Sequence, residues 1–340
     1  MTGAVDRSDL RGARVLVTGA TGATGSVLVH QLHDLGAEVV AACRSTSSKK
    51  RLAGLPVEWR EADLRDPETV PPLTEGVDYV FHVAAGFREA KLATDAYRKI
   101  NVESTLALAR SVAGRPGFRR FVHVSTNGVH GHIRNPPADE THPFNPGDVY
   151  QRAKLEAEMA LWKLREETGL GLSVVRPVAI FGPPDTRLLR LFRWAKKKRY
   201  PLLGGGRCLL HLVHTQDLAE FMTLLAVHPA AEGEAFLCGA PESTSVEEIV
   251  STVSRSLDLP PPRAFRLPVW PFWIAAVVCE GICVPLGLEP PIFRRRVAFF
   301  TKDRSFSIAK AKGLLRWEAR RSGEQGLAET AAWYREQGLL

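Results

Sequence analysis

The amino-acid sequence predicts an α/β fold, with a doubly wound parallel sheet over residues 1–180 and a smaller, mixed α/β substrate domain over residues 181–340. Three observations lead to this prediction. Short apolar runs rich in β-branched residues alternate with segments of helical periodicity in the first part of the chain. A glycine-rich turn joins the first of these runs to the first helical segment. Beyond residue 180, proline and glycine clusters separate shorter elements. A strand near residues 208–240 is an alternative further member of the first sheet.

Six runs are predicted to be strands, and the apolar ones among them have the length and composition of buried parallel strands. They cover residues 14–18, 38–43, 57–61, 77–84, 121–125 and 172–175. The spacing of apolar side chains between and after them predicts helices at residues 25–35, 95–112, 151–168, 217–225, 245–257 and 326–337. This alternation is typical of a Rossmann-like sheet with helices on both faces.

Composition and charge narrow the class of partner. The 340 residues are 45% hydrophobic and 24% charged, as in an ordinary globular protein. The formal net charge of +8 favours an anionic partner, such as a phosphorylated cofactor or an acidic membrane surface. The basic residues are scattered except for the run Lys196 to Arg199, which we interpret as a solvated helix face, with contact to anionic lipid as the alternative. Since the chain has no nucleic-acid-binding motif, we predict no nucleic-acid partner.

Cysteine spacing and apolar segments bear on location. The five cysteines are widely spaced and lie mostly in apolar runs, which predicts free thiols in a reducing compartment. Neither His211 nor His214 has a ligand-spaced cysteine or acidic partner, so no metal is predicted. Charges near the start of the chain argue against a secretory signal, and we predict a cytoplasmic protein.

The apolar segment 267–279 is shorter than the ~20 residues that a membrane-spanning helix requires. We interpret it as a core helix, with a substrate-lining or membrane-surface helix as alternatives.

The turn after the first strand has three glycines at a spacing typical of a phosphate site. Missing side chains allow a pyrophosphate to approach the backbone, and the following helix N-terminus offers free N–H groups. The spacing G-x-x-G-x-x-G differs by one residue from the common dinucleotide fingerprint. We predict that this turn binds a dinucleotide through Gly19, Thr21, Gly22, Ala23, Thr24 and Gly25.

The residue that follows the second strand indicates which dinucleotide is bound. An acidic residue at this point would hydrogen-bond the ribose 2′-hydroxyl of NAD. The chain instead has Arg44, followed by Lys49, Lys50 and Arg51. Because a cation pairs with a 2′-phosphate, we predict NADP in preference to NAD.

A second set of residues is suited to proton transfer. Tyr150 and Lys154 lie one helical turn apart, so their side chains share a face of the predicted helix. An adjacent ammonium stabilises a phenolate and brings the pKa of tyrosine toward a useful range. Lys154 is also suited to hold the nicotinamide ribose. Ser125 and Thr126 end the strand 121–125, where open α/β sheets assemble their sites, and they are candidates for orienting a substrate oxygen.

These motifs resemble those of the extended short-chain dehydrogenase/reductase family over nearly the whole chain. They occur in the family's order as TGATGATG at 18–25, Asp63-Leu64, His82 to Ala85, Asn101, Ser125-Thr126, Tyr150-x-x-x-Lys154 and Arg176 to Pro183. In the family the catalytic hydroxyl precedes a V-Y-G sequence. Here Val129-His130-Gly131 stands in that place, which makes Thr126 a better match than Ser125.

The resemblance also implies further cofactor contacts. Two residues are expected near the adenine and two beneath the cofactor, and the Arg-Pro motif is expected to border it. In that order these residues are Asp63 and Leu64, Ala84 and Ala85, and Pro177, Val178 and Ile180. Helices in this family often pair as dimers, which implies a homodimer.

Two features indicate to which substrate branch of the family the chain belongs. One is a residue that departs from the pattern of the sugar-nucleotide enzymes, and the other is the C-terminal half. Sugar-nucleotide enzymes of the family usually have an asparagine three residues after the arginine that matches Arg176, and this chain has Ala179. The C-terminal half resembles the 3β-hydroxysteroid dehydrogenase and sterol-4-carboxylate 3-dehydrogenase branch. A hydrophobic 3-hydroxy or 3-keto substrate, such as a sterol or long-chain keto acid, is therefore expected. Apolar side chains are candidates either for walls of its cavity or for the core of the second domain, namely Trp270, Phe272, Trp273, Ile274, Val277 and Phe299.

Two other functions stay open on the sequence. A sugar-nucleotide epimerase or dehydratase would keep NAD bound and show no net redox change. A non-catalytic regulator that binds NADP would use the same fold. Such regulators commonly lose the tyrosine, so Tyr150 and Lys154 favour an enzyme that interconverts an alcohol and a ketone.

Overall fold

The structure, a computed structural model, describes residues 7–86, 94–206, 208–283, 285–286, 288, 290–321 and 323–340. The strands in these residues are β1 (Arg14–Thr18), β2 (Glu38–Cys43), β3 (Glu58–Glu61), β4 (Tyr79–His82), β5 (Arg120–Val124), β6 (Leu172–Pro177), β7 (Ala179–Phe181), β8 (Arg199–Leu203), β9 (Leu209–Leu210), β10 (Leu212–His214), β11 (Glu234–Cys238), β12 (Thr244–Ser245) and β13 (Arg263–Leu267). The α-helices are α1 (Ala23–Asp34), α2 (Thr94–Arg98), α3 (Ser104–Val112), α4 (Val149–Thr168), α5 (Leu189–Ala195), α6 (Thr215–Val227), α7 (Val246–Ser256), α8 (Val269–Cys283), α9 (Arg294–Phe299), α10 (Ala309–Leu315) and α11 (Gly323–Glu336).

A parallel sheet of seven strands organises the molecule, in the order β11-β6-β5-β4-β1-β2-β3. The inner strands are buried on both faces, as their β-branched composition predicts. Helices α1 and α6 cover one face through Leu28 and Phe221, and α3 and α4 cover the other through Leu108 and Leu161. The prediction of a doubly wound parallel sheet is confirmed.

The chain reverses its direction across this sheet between β1 and β4. From β1 the chain proceeds outward to β2 and β3, whereas β4, β5 and β6 extend in the opposite direction. In open α/β sheets such a switch point leaves a crevice at the carboxyl ends of the two strands, and ligands bind there. The glycine turn follows β1, and Ala84 follows β4, so both predicted cofactor segments border this crevice.

The C-terminal half has shorter, mixed elements. Parallel pairs β7/β10 and β8/β13 and the antiparallel pair β9/β12 lie beside helices α5, α7 and α11. Their shared core includes Phe192, Tyr200, Ile249 and Tyr334. The domain boundary at residue 180 stays a prediction, and β11, which follows it in sequence, pairs with β6 at the edge of the main sheet.

The apolar segment 267–279 forms most of α8, but the expectation of a core helix is wrong for most of it. Only Ala276 of this helix is buried, whereas Trp270, Trp273, Ile274 and Val277 are exposed. Phe272 and Phe299 are partly buried. Within the described residues, no helix is both long and apolar enough to cross a bilayer.

Candidate active site

The glycine turn is shaped by close backbone approaches. Gly19 has a φ of +67°, which favours glycine, and a Cβ there would lie 2.9 Å from the Cα of Ala84. A Cβ on Gly25 would lie 2.1 Å from the carbonyl oxygen of Gly19. Two of the three glycines are therefore required by the turn itself, before any ligand is considered.

The start of α1 fits a pyrophosphate. Gly22 is the N-cap of this helix and has no side chain with which to cap the first N–H groups. Thr21, Ala23 and Thr24 flank it and are partly buried. The macrodipole of α1 adds partial positive charge at this end. The residues predicted for the phosphates thus have the geometry that an anion requires.

Arg51 is a residue of this site to which the sequence argument assigned no separate role. Its Nη1 donates a hydrogen bond of 3.0 Å to the carbonyl oxygen of Thr21 in the glycine turn. The cluster of basic residues after β2 was the available signal. The guanidinium of Arg51 adds a full positive charge beside the N-terminus of α1.

The segments after β2 and β3 hold the residues predicted for the adenosine. Arg44 is exposed directly after β2, and its backbone N–H donates to the hydroxyl of Ser47 at 3.2 Å. Asp63 is paired with Arg65, whose hydrogen bonds lower the pKa of this carboxyl group, and the charge of Arg44 lowers it further. Leu64 is partly buried beside them. Arg44 and Asp63 are thus close enough to interact electrostatically, on the side of the sheet where a ribose is expected.

A buried polar chain fixes the backbone after β4. The Thr18 hydroxyl accepts from the N–H of Ala84 at 3.2 Å and donates to His82 Nδ1 at 2.8 Å. His82 Nε2 then donates to Thr105 Oγ1 at 2.8 Å. Burial lowers the pKa of His82 to about 3, so its imidazole is neutral, as these hydrogen bonds require. These hydrogen bonds hold Ala84, and with it the partly buried Ala85, against the glycine turn.

Ser125 and Thr126 follow β5 but have different roles in the structure. The buried Ser125 hydroxyl donates to Glu158 Oε2 at 2.6 Å. The partly buried Thr126 hydroxyl accepts from the N–H of Gly128 at 3.1 Å, which leaves its own proton to be donated. The preference for Thr126 over Ser125 as the substrate-facing hydroxyl is consistent with this difference.

Tyr150 and Lys154 lie one turn apart on α4, and Lys154 contacts His123 of β5. Asp148 caps this helix by accepting from the N–H of Gln151 at 2.8 Å, and Tyr150 is partly buried in the first turn. Lys154 is 1% exposed, and its Nζ lies 3.3 Å from His123 Nε2. Burial lowers the pKa of Lys154 to about 7, although the charge of Glu158 opposes this shift.

His123 is a second residue that the sequence argument did not single out. Burial and the charge of Lys154 hold the pKa of His123 well below its ordinary range, so the imidazole is neutral and accepts from Lys154. Its proton then lies on Nδ1, a buried atom with no hydrogen-bond partner in the described part of the chain. The sequence signal for His123 was the alternation of side chains along β5. His123 and Ser125 are two residues apart in sequence, so their side chains lie on the same face of the sheet.

A buried ion pair joins Glu158 of α4 to Arg176 of β6. Arg176 Nη2 donates to Glu158 Oε1 at 2.5 Å, and Arg176 Nη1 lies 3.2 Å from His130 Nε2. Both charged side chains are at most 5% exposed. The position of Glu158, one turn beyond Lys154 on the same face of α4, was the sequence signal for this contact. The pair anchors α4 to β6 and leaves Ser125 committed to the carboxylate.

The Arg-Pro motif brings the last predicted cofactor residues to the carboxyl end of the sheet. Pro177 ends β6, the N–H of Val178 donates to the carbonyl of Cys238, and Ile180 lies in β7. The two histidines considered as metal ligands both contact backbone groups. His211 Nε2 lies 2.6 Å from the carbonyl oxygen of Ala240. His214 accepts from the N–H of Gln216 at the start of α6. The described residues contain no cluster of ligands suited to a metal ion.

The switch-point crevice, the glycine turn and the Tyr-Lys helix together define an NAD(P)-dependent enzyme class. The chain belongs to the NAD dependent epimerase/dehydratase family, whose model matches residues 15–239. This family comprises extended short-chain dehydrogenase/reductase proteins, so the resemblance stated from the motifs is confirmed.

Similar proteins of known name span nearly the whole chain. Sterol demethylase protein B of Methylococcus capsulatus is 31% identical, over 96% of this chain and 99% of that protein. A 3 beta-hydroxysteroid dehydrogenase/Delta 5-->4-isomerase of Mycobacterium tuberculosis is 29% identical, over 94% and 90%. The crystal structure of the Thermus thermophilus UDP-glucose 4-epimerase complex with NAD superposes with a TM-score of 0.73 at 23% identity, over 95% and 99% of the two chains. This last likeness concerns the fold.

Proposed function

We propose that this protein is an NADP-dependent dehydrogenase/reductase that interconverts a secondary alcohol and a ketone on a hydrophobic 3-hydroxy or 3-keto substrate. The observation that carries the proposal is the buried Lys154 on α4, one turn after Tyr150 and in contact with His123 near the carboxyl end of β5. Family members that bind a dinucleotide need a proton donor at this place to exchange hydride with a carbonyl.

The chemistry of the chain's own residues follows from their contacts. When bound, the nicotinamide supplies or accepts the hydride. In reduction, the Tyr150 hydroxyl transfers its proton to the substrate oxygen, while the Thr126 hydroxyl donates a hydrogen bond that orients this oxygen. In oxidation the same proton returns to Tyr150. A charged Lys154 stabilises the phenolate, and the neutral His123 positions its ammonium by accepting a hydrogen bond.

Two arginines support NADP as the cofactor. Arg44 directly follows β2, and Arg51 contacts the glycine turn, so a phosphorylated adenosine bound at this edge of the sheet would lie near positive charge. Gly19, Gly22 and Gly25 would hold the pyrophosphate, and Ala84, Pro177 and Ile180 would border the nicotinamide half.

The substrate class rests on the named relatives and on Ala179. Two relatives, aligned over at least 90% of both chains, have names that refer to sterols or steroids. Ala179 removes a side chain on which sugar-nucleotide enzymes of the family rely. We therefore propose a sterol, a steroid or a long-chain keto acid. A homodimer is proposed from the family resemblance alone, and a cytoplasmic location from the spacing of the cysteines.

Turnover on a substrate panel tests the function. Purified protein is assayed with NADPH and NADH on steroid ketones, long-chain 3-keto acids and UDP-sugars. We expect reduction of at least one ketone class, with kcat in Tyr150→Phe lowered by about 10²–10⁴-fold. Tyr79→Phe is the control, because this buried tyrosine lies in β4, within the sheet core. Turnover of UDP-sugars alone, without net oxidation of the cofactor, would establish the epimerase instead.

A further inference from the structure

Helix α8 has an apolar face that points away from the protein. Trp270, Trp273, Ile274, Val277, Val278 and Ile282 recur every three or four residues and are 39–68% exposed. We call these six residues the α8 apolar face. The opposite side of the helix packs inward through the buried Ala276 and contacts α9.

This arrangement is unusual for a helix that packs on a globular protein. Such a helix normally turns polar residues to water, whereas a helix that is apolar on all sides is buried in a core or a membrane. Leu286 and Leu288, just beyond α8, are 66% and 55% exposed and continue the apolar surface. An exposed apolar surface of this extent marks a binding site for a membrane or a protein.

Charge around the helix distinguishes between these occupants. Residues 263–302 contain six arginines and lysines against two glutamates, so this segment carries four of the eight net positive charges of the chain. Glu280, the acidic residue of α8, is paired with Arg294 of α9. Arg266 and Arg296 are exposed on the flanking segments, and Arg266 pairs with Glu247 at 3.2 Å. An apolar face with a cationic border complements anionic headgroups above an acyl layer.

The length of α8 determines its orientation. Its 15 residues extend over about 22 Å, which is less than the ~30 Å hydrocarbon core of a bilayer. Trp270 and Trp273 are of the residue type that is enriched at the membrane interface. We propose that the α8 apolar face docks on an anionic phospholipid bilayer, with the helix lying in the plane of the headgroups. This inference is independent of the proposed reaction.

Vesicle flotation tests the proposal. The full chain is mixed with vesicles of phosphatidylcholine alone or of phosphatidylcholine with phosphatidylglycerol. We expect flotation with the mixed vesicles, weakened by added salt, and lower binding to phosphatidylcholine alone. Ile274→Glu/Ile282→Glu should lower the binding by about tenfold or more. The matched control is Leu314→Glu on α10, at a leucine that is 49% exposed, and it should bind as the wild type does.

A second variant keeps the apolar face intact. Arg266→Gln/Arg296→Gln should lower binding to the anionic vesicles and leave binding to phosphatidylcholine unchanged. Circular dichroism confirms that each variant is folded. Equal flotation of the wild type and Ile274→Glu/Ile282→Glu, or no flotation of the wild type, overturns the proposal. A wild-type dimer that this variant converts to a monomer, without lipid binding, would show that a second copy of the chain covers the face.

Discussion

The burial of Lys154 gives this residue its special properties. An ammonium that is 1% exposed lacks water to solvate it, and its neighbour His123 is a neutral acceptor rather than an anion. The nearest compensating charge, Glu158, is already paired with Arg176. The side chain is therefore poised near neutral pH, which suits a group that must stabilise a phenolate and yet exchange protons.

Stability against pH tests this environment. The pKa of Lys154 is lowered from 10.5 to about 7, so the folded protein is penalised for holding the charged form. The penalty is fully present below about pH 7 and disappears as the pH rises toward the unfolded value. Relative to Lys154→Met, the wild type should gain stability, on the order of a few kcal/mol, between about pH 6 and about pH 9.

Urea denaturation of both proteins at the two pH values measures this difference. Lys163→Met, at an exposed lysine of the same helix, is the matched control and should show no such change. A constant difference between wild type and Lys154→Met across the pH range would contradict a lowered pKa.

Substitution of Glu158 tests how much the buried ion pair with Arg176 contributes to the free energy of unfolding. In Glu158→Gln the guanidinium of Arg176 stays buried and loses its anion, which should lower the free energy of unfolding by about 3–5 kcal/mol. Glu156→Gln, at an exposed residue two positions earlier on α4 that pairs with Arg98, should change it by less than about 0.5 kcal/mol. Chemical denaturation of both variants measures the two values. A loss below about 1 kcal/mol for Glu158→Gln would indicate that water or another group solvates Arg176.

At the scale of elements, the site is built from strand ends and helix starts. The turn between β1 and α1 supplies the phosphate site, and the end of β4 supports it from below. The end of β5 supplies Thr126, and the first turns of α4 supply Tyr150 and Lys154. Parallel strands carry their carboxyl ends to one edge of the sheet, so elements far apart in sequence converge there.

Gly25→Ala tests how tightly the β1 to α1 turn is packed. The new Cβ would lie 2.1 Å from the Gly19 carbonyl oxygen, so the turn must shift away from its pyrophosphate geometry. We expect a loss of about 1–3 kcal/mol in stability, together with weaker NADPH binding by calorimetry. Gly313→Ala is the control, because nothing lies within 4 Å of its Cβ in α10, and it should be neutral or slightly stabilising. Unchanged NADPH affinity in Gly25→Ala would argue against this turn as the phosphate site.

At the scale of the whole molecule, cofactor binding is coupled to global stability. The crevice is bordered by segments from residue 18 to residue 180, so a ligand there holds together the ends of most inner strands of the main sheet. A ligand that binds only the folded state stabilises it by about 2.7 kcal/mol at a hundred times its Kd.

Thermal unfolding with each cofactor tests the NADP preference at this scale. NADPH should raise Tm more than NADH at equal concentration, and Arg44→Ala should remove this difference while the rise with NADH is retained. Arg110→Ala, at an exposed arginine of α3, is the control. A larger rise with NADH, unchanged in Arg44→Ala, would reverse the cofactor assignment.

Much of the architecture followed from local patterns in the sequence. Sequence patterns predicted strands β1 to β6 and the helices that separate them. For all of these strands except β3, which is not buried, the signal was the continuous apolar composition of parallel strands buried on both faces. The helix predicted at residues 95–112 is interrupted by a π-helical turn at Lys99–Glu103, whose Asn101 accepts from the N–H of Gly86 at 3.1 Å. A tertiary contact of this kind leaves no periodic signal.

The sequence by itself determined the glycine turn, the Tyr150 and Lys154 pair and the doubly wound sheet, since each depends on residue type and short-range spacing. Only the tertiary structure decided that Ser125 is held by Glu158, that His123 accepts from Lys154, and that α8 faces outward. These outcomes depend on which faces of distant elements meet. An apolar run specifies that a helix avoids water, but the arrangement of its neighbours decides whether protein covers it.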